Sequence, residues 1–127
     1  MAFLLFRDPE IIENSLKDLP EVIYYLASVV SGEAEADFSK GWDVNIHAFW
    51  SFLSLVKKLN EKSQGQYKPK IIFTSSIAVF GSPFPNQIPD DFIAAPRTSY
   101  GAQKASCELM LNDFSRKGFC EGLAIRL

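Results

Sequence analysis

Residues 98–105 read TSYGAQKA, with Tyr100 and Lys104 four positions apart just inside a helix start. Thr98 or Ser99 is a good N-cap, and the residues from Ala102 to Met110 carry a helical composition onward. Positions i and i+4 of a helix share a face, so the phenol and the ammonium project side by side. A neighbouring positive charge favours phenolate and lowers the tyrosine's pKa. A tyrosine tuned in this way can act as general acid or base toward a hydroxyl or a carbonyl. The pair alone decides nothing, because an ordinary amphipathic surface helix can carry a Tyr and a Lys at this spacing by chance.

The elements that must position the pair follow from the patterning. DPEIIENSLKD, residues 8–18, predicts a short helix after an Asp-Pro start. EVIYYLAS, residues 21–28, is a continuous β-branched and aromatic run, as expected of a strand buried on both faces of a parallel sheet. VVSGEAEADF turns from loop into helix, with Glu33, Glu35 and Asp37 where a helix N-terminus favours negative charge. From about Asp37 to Leu59, Trp42, Ile46, Phe49, Leu53 and Val56 repeat at three and four. Trp50, Phe52 and Leu55 widen that face, so the helix is covered on more than one side. KIIFTSS, residues 70–76, is a second buried strand ending in hydroxyl residues. Residues 81–97 hold four of the seven prolines and form a long irregular loop, of the kind more often functional than filler. The Tyr100 helix then runs to about Lys117, Gly118 stops it, and LAIRL begins a third strand. Alternation of helix and strand implies an α/β chain, with a parallel sheet, right-handed crossovers and helices on both faces.

Composition narrows the function classes. The 127 residues suit one domain, and 47% hydrophobic with 22% charged residues is ordinary for a globular chain. A net charge of −2 with scattered lysines and arginines argues against nucleic acid as a partner. Cys107 and Cys120 show no CxxC and no histidine at ligand spacing, so no metal site is expected and the thiols read as buried or free in a reducing compartment. MAFLLF is too short for a signal-peptide core or a membrane span, and Arg7 and Asp8 follow at once. A cytoplasmic chain without a membrane partner is the simplest expectation.

In open parallel sheets, ligands sit beyond the carboxyl ends of the strands. Those ends hold Leu26-Ala27-Ser28 and Thr74-Ser75-Ser76, and the helix start brings Tyr100 and Lys104 to the same edge. The stretches VIYYLAS, Asn45 within WDVNIHAF, IIFTSSIAVFG, TSYGAQK and LAIRL, in that order, resemble the extended short-chain dehydrogenase/reductase family, which includes the NAD-dependent sugar epimerases and dehydratases. LASVVSGEAEADF, FTSSIAVFGSP and SYGAQKASCELMLNDFSRKGF carry a finer likeness to dehydrogenases of sugar acids. The resemblance implies a partial NAD(P)-binding Rossmann-type three-layer fold over residues 1–127. It implies Tyr100 as the catalytic acid/base, Lys104 on the nicotinamide ribose, and Ser76 polarising the reacting oxygen. Thr74 and Ser75 would line the nicotinamide end of NAD or NADP, Leu26 and Ala27 would pass their backbone along its ribose and phosphates, and Asn45 would support the active-site backbone. It further implies a sugar-acid or sugar substrate and a homodimer through helices 37–60 and 98–117.

Two departures from the family pattern stand out. Tyr25 occupies the position of the family's histidine before Leu-Ala. The seven glycines, at 32, 41, 65, 81, 101, 118 and 122, make neither G-x-x-G-x-x-G nor G-x-G-x-x-G, so the turn that cradles a pyrophosphate is not among these residues. By the family's strand order the chain supplies the second half of the sheet, without the glycine-rich half or the substrate domain. The first strand then lacks its usual neighbour and leaves an apolar edge open, unless Met1–Phe6 folds back as a substitute strand. Three readings follow: the catalytic half of an NAD-dependent dehydrogenase, a silent truncated form serving as an interaction module, or part of a nucleotide-sugar epimerase.

Overall fold

The computed structural model describes residues 8–127. Met1–Phe6, the possible substitute edge strand, lies outside the described residues. Helix α1, Pro9–Leu16, starts where Asp8 accepts a hydrogen bond from the Glu10 amide and a proline fills the first turn. Strand β1 is Val22–Tyr25, and after it come the short helices α2, Ser31–Ala36, and α3, Phe38–Trp42. Asp37 caps α3 by accepting from the Lys40 amide. The apolar stripe expected over 37–59 forms one continuous run: α3, a π-helical turn at Asp43–His47, then α4 at Ala48–Lys62. Strand β2 is Lys70–Ser75, and a 3-10 turn follows at Ile77–Val79. After the proline-rich segment come helix α5, Ser99–Arg116, and strand β3, Glu121–Arg126. Gly118 takes φ +84°, the left-handed conformation that ends α5 as expected.

The strands form one parallel sheet in the order β1-β2-β3. Side chains alternate across it. Ile23, Ile71, Tyr25 and Phe73 belong to one face and pack with Phe49, Phe52 and Leu53 of α4, Ile12 and Leu16 of α1, and Cys107, Leu111 and Phe114 of α5. Tyr25 lies in an aromatic cluster with Phe49, Phe52 and Phe73. The other face differs from the expectation. Val22, Tyr24, Leu123 and Ile125 are exposed, so β1 is not buried on both faces and helices cover only one side of the sheet among the described residues. A continuous apolar run reports a strand whose partners are apolar layers; it cannot report whether both layers are present in the chain at hand.

The buried thiols give this core a pH signature. Burial pushes Cys107 up to about 12 and Cys120 up to about 11 from an ordinary 9.0. Above pH 9 the unfolded chain therefore binds fewer protons than the folded one, and stability falls by roughly 1.4 kcal/mol per pH unit for each thiol. Lys104 acts in the opposite sense, because burial lowers its value from 10.5 and the folded chain sheds that proton first. Two thiols outweigh one ammonium, so thermal unfolding followed between pH 9 and 11 should show a falling midpoint. A flat or rising profile would contradict this burial pattern.

Candidate active site

The start of α5 is fixed from two directions. The Thr98 hydroxyl accepts from the Gly101 amide at 3.0 Å. From α2, the Glu35 carboxylate accepts from the Ser99 amide at 2.9 Å, which places negative charge at the positive end of the helix dipole. Tyr100 packs half-buried against Val29, Ala34 and Val44. Lys104 lies one turn further on and is 2% exposed. Its Nζ sits 5.6 Å from the centre of the Tyr100 ring and 4.7 Å from that of Phe73.

The Lys104 ammonium donates to the Thr74 carbonyl at 2.7 Å, at the carboxyl end of β2. No carboxylate is paired with it among the described residues, and burial lowers its pKa from the ordinary lysine value. An ammonium has three donors, and the Thr74 carbonyl engages one of them. This cation therefore stands beside a phenol at a strand end with hydrogen-bonding capacity in reserve.

The three hydroxyls that close β2 go separate ways, because strand side chains alternate. Thr74 Oγ1 reaches the Tyr25 carbonyl at 3.4 Å, across to β1. Ser75 is buried on the helix side, where its hydroxyl donates to Glu108. Glu108 also holds Arg126 of β3, with Nη2 to Oε2 at 2.8 Å, and the guanidinium lies 4.8 Å from the centre of the Phe80 ring. The Ser75 side chain is thus committed to this ion pair, and its backbone is what remains to line a ligand. Ser76 caps the 3-10 turn by accepting from the Ala78 amide at 3.2 Å. That turn rests directly on α5: a Cβ built on Gly101 would lie 2.1 Å from the Ala78 carbonyl oxygen. Ser76 is thereby held to the helix start that carries Tyr100.

Asn45 lies in the π-helical turn and is buried. Its Oδ1 accepts from the Val29 amide at 2.9 Å and from the Ser28 hydroxyl at 3.0 Å. Its Nδ2 donates to the Val29 carbonyl at 3.3 Å and to Gln103 Oε1 at 2.7 Å. The amide therefore ties the chain leaving β1 to the helix of Tyr100 and Lys104. The extra residue of a π-turn re-aims side chains, and such turns are frequent at functional sites. Leu26 and Ala27, just before this tie, stand exposed and half-buried at the carboxyl end of β1.

Sequence reasoning missed Gln103, Glu35 and the Glu108–Arg126 pair. Glu108 follows Lys104 by four residues and so shares its helix face, a spacing that could have flagged it. Gln103 and Glu35 carry no local signal, since their partners are 58 and 64 residues away. His47 pairs with Asp43 at 3.1 Å on the surface, and no group of three or more metal-ligating side chains gathers among the described residues. No described helix is long and apolar enough to cross a membrane.

A parallel sheet with a Tyr–Lys helix against its carboxyl edge defines the class: a Rossmann-type α/β chain. The comparisons with known proteins give the family. The model of the NAD dependent epimerase/dehydratase family matches residues 3–127, and the chain belongs to that family. It is 40% identical over 120 residues to D-erythronate dehydrogenase of Cupriavidus necator, covering 94% of this chain and 35% of that one. It is 38% identical over 121 residues to D-erythronate dehydrogenase of Haemophilus influenzae, covering 95% and 36%. The nucleoside-diphosphate-sugar epimerase structure from Agrobacterium tumefaciens superposes with a TM-score of 0.90 at 49% identity, over 96% of this chain and 35% of that one. The chain thus spans about a third of the length of these relatives.

Proposed function

We propose that this chain carries the acid–base half of an NAD-dependent dehydrogenase that oxidises a secondary alcohol of a sugar acid. The observation that carries the reading is the Lys104 ammonium, which donates to the Thr74 carbonyl near the end of β2 and lies 5.6 Å from the centre of the Tyr100 ring. The residues present fit one end of a dinucleotide. Lys104 has donors in reserve for a ribose, the Thr74 and Ser75 backbone lies at the same strand end, and Leu26 and Ala27 offer backbone beyond β1. They do not fit the pyrophosphate, for which no glycine turn exists in the sequence. When bound, NAD+ supplies the acceptor for the hydride. Tyr100, as phenolate, takes the proton of the substrate hydroxyl and ends as the neutral phenol, Ser76 donates a hydrogen bond to the reacting oxygen, and the Lys104 ammonium favours the phenolate that must be present before the step. Asn45 acts at one remove, holding the backbone at Val29 in register with α5.

The sugar-acid substrate rests on the two D-erythronate dehydrogenase relatives. The test is a chimera in which residues 8–127 replace the matching third of the Cupriavidus necator enzyme. D-Erythronate-dependent reduction of NAD+ supports the reading. A folded chimera that binds NAD+ and reduces none removes it, and activity on a nucleotide sugar instead would favour the epimerase reading suggested by the Agrobacterium tumefaciens relative.

The 127-residue chain by itself is expected to be silent. Calorimetric titration with millimolar NAD+ should give no saturable heat, because the turn that would hold the pyrophosphate is not among its residues. Saturable binding would show that another cradle exists. A second reading, an interaction module pairing through helices 37–60 and 98–117, is favoured by Trp50 and Leu109, which stand exposed on those helices.

A further inference from the structure

Gln103 lies three residues after Tyr100 on α5 and is fully buried. Its Oε1 accepts from Asn45 Nδ2 at 2.7 Å, while its Nε2 has no hydrogen-bond partner among the described residues. A buried donor without a partner costs stability that an apolar side chain of the same shape would keep. The bond to Asn45 is therefore what sets this amide apart from a methionine or leucine. The backbone makes room for it: a Cβ on Gly41 would lie 2.7 Å from Gln103 Nε2 and 3.2 Å from Oε1. One turn further along α5, the Cys107 thiol donates to the Asn45 carbonyl at 3.0 Å. Gln103 and Cys107 share a helix face, so α5 holds Asn45 by its side chain and by its backbone at once.

The same contacts build the seat of the Tyr100 ring, which packs against Val29, Ala34 and Val44. The Asn45 amide bonds both the N–H and the carbonyl of Val29. Val44 directly precedes Asn45 in the π-helical turn. Ala34 closes the third side, where a Cβ on Gly41 would lie 3.2 Å from its own Cβ. We propose that Gln103 is a positioning residue: by holding Asn45, and by lying against Gly41, it fixes these three walls and thereby the orientation of the Tyr100 phenol. The proposal rests on the reading of Tyr100 as the acid–base group.

Gln103→Met, placed in the chimera with the Cupriavidus necator enzyme, is the test. It should lower kcat on D-erythronate by about 10–100-fold, the usual effect of a small misplacement, with NAD+ affinity and far-UV circular dichroism unchanged. On a Tyr100→Phe background it should cost nothing further, because residues that act through one group are not additive. Fluorine NMR of the fluorotyrosine-labelled chimera should show the Tyr100 resonance, assigned by its loss in Tyr100→Phe, shifted or broadened by Gln103→Met. If Gln103→Met does not fold, Gly41→Ala pushes the amide aside without removing it and reads the same link. An unchanged kcat, or a loss that persists in full on the Tyr100→Phe background, overturns the proposal. In a chimera without turnover the dehydrogenase reading fails, and the ring resonance decides the seat by itself: unmoved, it overturns the positioning role.

Discussion

Gly101→Ala should lower the unfolding midpoint by about 10 °C, from a stability loss of about 3 kcal/mol. The reason is local and severe. A Cβ at this position would lie 2.1 Å from the Ala78 carbonyl oxygen and 3.0 Å from Pro96 Cβ. The nearer atom is backbone, so no rotamer change relieves the overlap, and either α5 or the 3-10 turn must move. Both carry the candidate site: Tyr100 precedes Gly101 directly, and Ser76 caps the turn that contains Ala78. Gly32→Ala is the matched control, since a Cβ there meets nothing within 4 Å. That variant should be neutral or slightly stabilising in helix α2. Thermal unfolding of the two variants beside the wild type decides it, and a Gly101→Ala midpoint close to the wild type would mean that the turn does not rest on α5 as described.

Tyr100→Phe, placed in the chimera with the Cupriavidus necator enzyme, should lower kcat by about 10²–10⁴-fold, the usual contribution of a positioned acid or base. Phenylalanine keeps the ring against Val29, Ala34 and Val44 and removes the oxygen that would carry the proton. The fold and the affinity for NAD+ should therefore be unchanged. Lys104→Met should behave differently. Its ammonium holds the Thr74 carbonyl as well as facing Tyr100, so cofactor affinity and kcat should fall together. Undiminished turnover in Tyr100→Phe would remove Tyr100 from the chemistry, whatever becomes of the remaining geometry.

These two expectations draw on different kinds of legibility. The Tyr100–Lys104 pair could be read from spacing, because a helix places i and i+4 on one face whatever packs around it. Its helix start could also be read, and Thr98 proves to be the cap. The Gly101 contact could not, since nothing in SYGAQK announces that the Ala78 carbonyl will lie against it. The three hydroxyls of Thr74-Ser75-Ser76 illustrate the boundary. Their place at a strand end was legible, while the diversion of Ser75 to Glu108 and Arg126 depends on a helix and a strand packed from elsewhere in the chain.

By itself the sequence determined the order of helices and strands, the parallel class of the sheet, the stop at Gly118 and the shared face of Tyr100 and Lys104. All of these follow from backbone geometry and side-chain periodicity within a few residues. Tertiary structure alone decided that helices cover one face of the sheet, that Glu35 caps α5 from 64 residues away, and that Asn45 and Gln103 lock together across 58 residues. Those outcomes depend on which surfaces meet, and the free energy of burying a surface belongs to the pair of elements in contact rather than to either segment alone.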